Sequence, residues 1–165
     1  MIILKVLIII VVVFVVACII NGIEDHNTTS LVRLSFADTM GRLKLPVVSL
    51  TNNNKSFNFL IDTGSSVSII DTLVVDQLKY TKLESEGTAY GIDGNVFTVE
   101  YAQIELSHES TKFEDEFQMM RVDAFDNIEK VDGMKIAGIL GSTFLKKYNF
   151  TIDYESLIVY PSKEK

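Results

Sequence analysis

Residues 58–66 read Asn-Phe-Leu-Ile-Asp-Thr-Gly-Ser-Ser, NFLIDTGSS, and the reading of this stretch decides the fold. Phe59, Leu60 and Ile61 form an apolar run, with an aromatic and a β-branched residue, as a buried strand favours. Asp62 follows them directly, where an ionised carboxylate is unwelcome unless something pairs with it or shares its proton. Thr63, Gly64, Ser65 and Ser66 then supply turn chemistry, and a second apolar run resumes over Val67 to Ile70.

Outward from this segment the chain keeps a β rhythm. Leu31 to Phe36 alternates as a first strand, Asp38 to Gly41 turns, and Arg42 to Leu50 returns as a second strand. Thr51-Asn52-Asn53-Asn54-Lys55 is a hairpin loop feeding a third strand, Ser56 to Ile61. Asp71-Thr72 caps a short helix reaching Lys79, with Leu73, Val74 and Leu78 on one face. Gly91-Ile92-Asp93-Gly94-Asn95 is a turn between extended arms, since Asp-Gly favours hairpins. Asn95 to Leu106 and Phe113 to Val122 read as two long strands. A second short helix follows Ser142, and Phe150 to Tyr160 folds back around Glu155-Ser156. These elements predict a small β-barrel or sandwich with two short helices.

Composition narrows the function. Hydrophobic residues make up 47% of the chain, enough for a sizeable core in one domain. A formal net charge of −7 with scattered Lys and Arg argues against nucleic acid, whose phosphates need clustered cations. The single cysteine, Cys18, leaves no internal disulfide and no cysteine zinc cluster. His26 and His108 are too far apart in sequence to suggest a histidine metal site, and the chain is expected to work without a metal or organic cofactor. Glu114-Asp115-Glu116 reads as the solvated start of a strand, and Lys146-Lys147 complements a helix C-terminus.

Residues 1–20 differ in kind, being apolar except for Lys5. As a helix, Val6 to Ile20 spans about 22 Å against a hydrocarbon core of roughly 30 Å. Ile2 to Leu4, with Lys5 snorkelling, bring it to spanning length. One reading is an uncleaved signal anchor, with Lys5 inside and Glu24-Asp25 outside. The other is an export signal ending at Val15-Val16-Ala17-Cys18, which resembles the bacterial lipobox and makes Cys18 a lipidated N-terminus. Both tether the rest of the chain to a membrane on its extracytoplasmic side. The domain plan is therefore signal or anchor over 1–20, linker over 21–30 and folded domain over 31–162.

With these elements in place, Asp62-Thr63-Gly64-Ser65-Ser66 resembles the active-site loop of aspartic proteases. Downstream, Gly91-Ile92-Asp93-Gly94 stands where that family has its flap, and Tyr90-Gly91 is similar to the tyrosine-glycine of the pepsin flap. Ala137-Gly138-Ile139-Leu140-Gly141-Ser142-Thr143-Phe144-Leu145 resembles the family's second segment, two apolar residues and a glycine running into a helix. The resemblance is nearest to the retropepsin-like group, including its bacterial members, and covers roughly residues 31–160. It implies an all-β fold, a small closed barrel with one or two short helices behind an apolar N-terminal helix. Pepsin-type chains hold two Asp-Thr/Ser-Gly motifs. This chain has only Asp62-Thr63-Gly64, because Asp38-Thr39-Met40-Gly41 has an inserted methionine and no apolar strand before it. One half-site per chain implies a homodimer.

The resemblance further implies an aspartic endopeptidase acting on extended peptide or protein substrates through a water held by Asp62 of both copies. In that reading Gly64 lets an amide approach the carboxylate. Thr63 bonds to its counterpart in the other copy, and Ser65 donates beside the outer carboxylate oxygen. Tyr90, Gly91, Ile92 and Gly94 form the flap over the substrate. Gly138, Ile139, Leu140 and Gly141 form the second segment, Ile139 and Leu140 as core residues. The competing reading is a catalytically inactive, envelope-tethered binding or assembly module on the same fold. There Asp62 only caps local amides, and Gly91 to Gly94 is an ordinary hairpin.

Overall fold

The computed structural model describes residues 32–90 and 96–162. The apolar segment with Cys18, the linker and the flap residues Gly91, Ile92 and Gly94 lie outside the described residues. Among the described residues, no helix is long and apolar enough to cross a membrane.

The elements run β1 (Leu34–Ser35), α1 (Ala37–Leu43), β2 (Val47–Asn52), β3 (Lys55–Ile61), β4 (Ser68–Asp71), a 3-10 turn (Val75–Gln77), β5 (Tyr80–Tyr90), β6 (Val96–His108) and β7 (Thr111–Met120). They continue as α2 (Ala124–Asp132), β8 (Ile136–Leu140), α3 (Ser142–Lys147), β9 (Phe150–Asp153) and β10 (Ile158–Pro161). The protein is thus mostly β with a few short helices. A small sheet orders β1-β10-β9, and the main sheet orders β2-β3-β8-β4-β7-β6-β5.

Alternation sets the core. Phe57, Phe59 and Ile61 of β3 point inward with Ile104, Leu106, Phe113, Phe117, Leu140 and Phe144. On the other face Leu60 and Ile69 pack against a second cluster of Val47, Phe125, Ile136 and Ile139. Hairpin chemistry at 51–55 is as the sequence implies: Asn53 and Asn54 take φ of 48° and 63°, the left-handed pair that a two-residue turn demands.

The main sheet bends into a ring, but its seam is thin and it is not a continuous barrel. Between β2 and β6 a single residue pair, Thr51 with Ser107, is in register. Asn52 supplies what backbone pairing does not. Its buried side-chain amide donates to the carbonyls of Lys79 and Glu105, each at 2.9 Å, and its oxygen accepts the Lys79 amide at 2.7 Å. One side chain so replaces three ladder bonds.

Three local expectations give way to tertiary contacts. Asp38 to Gly41 is helical, inside α1, and not a turn, because the Thr39 hydroxyl is buried against β2, accepting the Val47 amide at 3.1 Å. The second strand begins at Val47, not Arg42, since Lys44 ends α1 in the left-handed conformation with φ 59°. No α-helix follows Asp71. Its carboxylate takes the Leu73 amide at 2.9 Å and pairs with Arg121 at 2.7 Å, and only the 3-10 turn forms, with Leu73 exposed. Hydrogen bonding to Asp126, and then the charges of Asp71 and Asp123, hold the Arg121 guanidinium above its ordinary pKa. Helix α2 was not foreseen; Gly133, with φ 79°, stops it, and Phe125 and Ile128 press it onto the second cluster.

Two outcomes follow. Asn52→Ala strands the Lys79 amide and two carbonyls and is expected to cost about 2–3 kcal/mol, read from urea unfolding midpoints. At the β9–β10 turn Asp153 accepts the Glu155 and Ser156 amides, each at 2.9 Å, and bonding from Ser156 holds its carboxyl below the usual range. A lowered folded pKa stabilises above the unfolded value of about 3.9 and is lost as pH falls through the folded value. The stability gap between the wild type and Asp153→Asn should therefore be full at pH 6 and close on acidification below about pH 4.

Candidate active site

The Asp62 loop is built by a crossing. β8 lies between β3, to which it is parallel, and β4, to which it is antiparallel. The chain must therefore leave β3 at Ile61, pass over the end of β8 and descend as β4. The Asp62 amide still bonds to Leu140 O at 3.1 Å, so the carboxylate starts from strand geometry.

Contact at the crossing is very close. A Cβ on Gly141 would stand 2.2 Å from Val67 O, and one on Gly138 would stand 2.2 Å from Ile69 O. Both oxygens belong to backbone, which does not move aside as a side-chain end does. The second segment therefore needs glycine at these two positions to let β8 lie beneath the loop and against β4. Ile139 and Leu140 are buried, as expected of core residues.

Helix α3 then clasps the loop. Its first amides find no side-chain cap; Ser142 N–H donates to Ser65 O at 2.8 Å and Thr143 N–H to Ser66 O at 3.3 Å. The Ser142 hydroxyl donates to Thr63 O at 2.8 Å. Ser142 is the residue whose role in the site sequence reasoning missed, although it follows Gly141 directly.

Within the loop, Gly64 N–H donates to Asp62 Oδ1 at 2.8 Å, and a Cβ on Gly64 would lie 3.1 Å from that oxygen. Asp62 is half-buried, and Thr63 and Gly64 are exposed. The Ser65 hydroxyl donates to Val67 O at 2.7 Å, bracing the loop internally, where the resemblance implies a bond to the carboxylate. Beside the loop an open groove of about 360 Å³ is lined by Thr63, Ser142, Leu145, Lys146, Asn149, Phe150 and Ile152.

Tyr90 ends β5 and pairs with Val96 of β6, the last register pair before the undescribed turn. Gly87 faces Tyr101 on these arms, and the Tyr101 hydroxyl accepts from Gln118 Nε2 at 3.1 Å. One charged residue departs from its expected setting. Asp115 is buried between Phe113 and Phe117, while Glu114 and Glu116 are exposed. The alternation Phe113-Glu-Asp115-Glu-Phe117 was the overlooked signal, since period two puts Asp115 on the core face. Among the described residues no group of three or more His, Cys, Asp or Glu could hold a metal ion.

Comparison with known proteins adds one positive finding. The sequence pattern of one family, described as aspartyl protease, matches residues 48–144, from β2 through the Asp62 loop and Gly141 into α3. A search of curated proteins finds no match to the chain.

Gly138→Ala and Gly141→Ala are each expected to lower stability by about 3 kcal/mol or more, measured by thermal unfolding. Gly41→Ala, where a Cβ meets nothing within 4 Å, should leave stability unchanged or slightly raised.

Proposed function

The chain belongs to the aspartyl protease family, of the retropepsin-like kind, and from that premise we propose an endopeptidase in which Asp62 of two identical copies shares one proton and one water. Family membership supports peptide hydrolysis as the reaction class. The observation that carries the finer reading is the state of Asp62. It stands half-exposed on a loop held by its own chain, one oxygen taken by the Gly64 amide, in a sequence with one such motif.

Two carboxylates brought together across a two-fold axis cannot both ionise easily, so they hold one proton between them. The ionised member takes a proton from water as that water attacks the peptide carbonyl; the protonated member polarises the carbonyl oxygen. Gly64 N–H keeps Oδ1 fixed through both steps, which spares the loop any reorganisation. Substrate would lie extended, as a β-strand between the β5–β6 arms and the floor of the loop. Exposed Thr63 is free to face the second copy, as the homodimer reading needs. The apolar N-terminal segment would tether this enzyme at the extracytoplasmic face of a membrane, through a lipid on Cys18 or as a signal anchor.

Asp62→Asn should reduce cleavage of a mixed peptide library by at least about a hundredfold with unfolding behaviour unchanged. Sedimentation of the wild type should show a dimer. A verified wild-type dimer that cleaves no peptide between acid and neutral pH would instead make the chain a binding module. Metabolic lipid labelling lost in Cys18→Ser would identify a lipoprotein, and labelling absent in the wild type a signal anchor.

A further inference from the structure

Asp115 occupies an inward position of β7 with 12% of its side chain exposed, flanked by core phenylalanines. A carboxylate there pays a desolvation penalty that leucine would avoid, so its contacts need explaining. Two elements reach it. Lys147 Nζ, at the end of α3, stands 3.4 Å from Oδ1, and the Lys147 ammonium also bonds to Glu114 O. Ser68 Oγ, at the start of β4 and fully buried, stands 3.3 Å from Oδ2. The same Ser68 oxygen lies 3.3 Å from the Gly141 amide.

The chemistry of these groups gives the chain of contacts a direction. An ionised carboxylate only accepts, so Asp115 makes the Ser68 hydroxyl donate towards β7. That leaves the lone pairs of Ser68 facing Gly141 N–H, a buried amide at the crossing beneath the loop. Gly141 leads directly into Ser142, whose amide and hydroxyl hold Ser65 O and Thr63 O. Lys147 closes the circuit, tying the far end of α3 to the same carboxylate.

We propose that Ser68 and Asp115, compensated by Lys147, are positioning residues for the Asp62 loop: the carboxylate sets the hydroxyl's polarity, and the hydroxyl seats Gly141 and Ser142 under the loop. None of the three touches the reacting atoms. The proposal rests on the reading of Asp62 as the catalytic carboxylate, and its effect is on the geometry of Asp62 and Gly64.

The test uses the full-length chain and two readouts, peptide cleavage and amide hydrogen exchange. Ser68→Ala should lower kcat at least tenfold with KM within twofold, and speed exchange at Ser142 and Gly64 at least tenfold. Ser68→Thr, which keeps the hydroxyl, should restore both. Asn52→Ala, which weakens the seam without removing a contact of Ser68 or Asp115, serves as the control and should change neither at a temperature where it is folded. Should Ser68→Ala fail to fold, Asp115→Asn keeps the volume but adds a donor, and is expected to move both readouts the same way. Faster exchange confined to Gly141, with kcat and Gly64 at wild-type values, would reduce the group to simple core satisfaction and overturn the proposal. If the wild type cleaves nothing, the protease reading fails, and exchange at Ser142 and Gly64 alone decides whether this group positions the loop.

Discussion

The constraint on which the site depends is steric. The second segment passes its neighbours at a separation that admits hydrogen on Cα and nothing larger, against β4 at Gly138 and beneath the Asp62 loop at Gly141. Because β8 runs between β3 and β4, the loop that joins those two strands has no route except over the end of β8. The carboxylate position follows from this topology. Asp62 sits where the chain is still bound to Leu140, and the turn behind it is shaped by Gly64 and Ser65. A loose surface loop with the same residues would hold no oxygen in a defined place.

Around the crossing, polar and apolar contacts have separate tasks. The phenylalanine-rich core fixes the sheets, with Phe113, Phe144, Tyr148 and Phe150 packed ring to ring beneath α3. That packing places the helix but does not orient its first turn. Orientation comes from directional bonds, since Ser142 and Thr143 amides meet carbonyls of the loop. The ring's weak seam is likewise completed by a side chain, Asn52, where two strands barely pair. Hydrophobic burial here decides which elements meet, and hydrogen bonds decide how they meet.

Strands with strict alternation were legible in the sequence, as at Phe57, Phe59 and Ile61, and so were turns demanding left-handed residues, as at Asn53-Asn54. The Asp-Thr-Gly loop and the glycines of the second segment were legible through their resemblance to the aspartic protease family, and the close approaches at Gly138 and Gly141 give the physical reason for those glycines. Helix α1 was not, since Asp38-Thr39-Met40-Gly41 has turn-like composition and becomes helical through a buried hydroxyl contact with β2. Helix α2 offers only Phe125 as a buried apolar anchor and Ile128 as a half-buried one, with Val131 exposed, so its periodicity is faint. Asp71 had the look of a helix cap, but Arg121, 50 residues on, claims its carboxylate. Likeness points Ser65 at the carboxylate, whereas its hydroxyl donates to Val67 O within its own turn. Apart from α2, these departures involve a polar side chain whose partner is remote in sequence, or whose choice between two nearby acceptors composition does not encode.

In the proposed dimer, the division of labour between one chain and two has an energetic consequence. Each copy already holds its own loop, with Oδ1 fixed and the turn clasped by α3, so association need not order the catalytic segment. The cost of assembly is then mainly lost translational and rotational freedom of two rigid bodies. Tethering both copies in one membrane would reduce that loss further, because the second copy is held near at raised effective concentration. A weak interface would suffice under those conditions. On this reading the proposed positioning contacts would lie inside one subunit for the same reason: geometry built within the chain would be present before the partner arrives, and the partner would have only to bring a second acid.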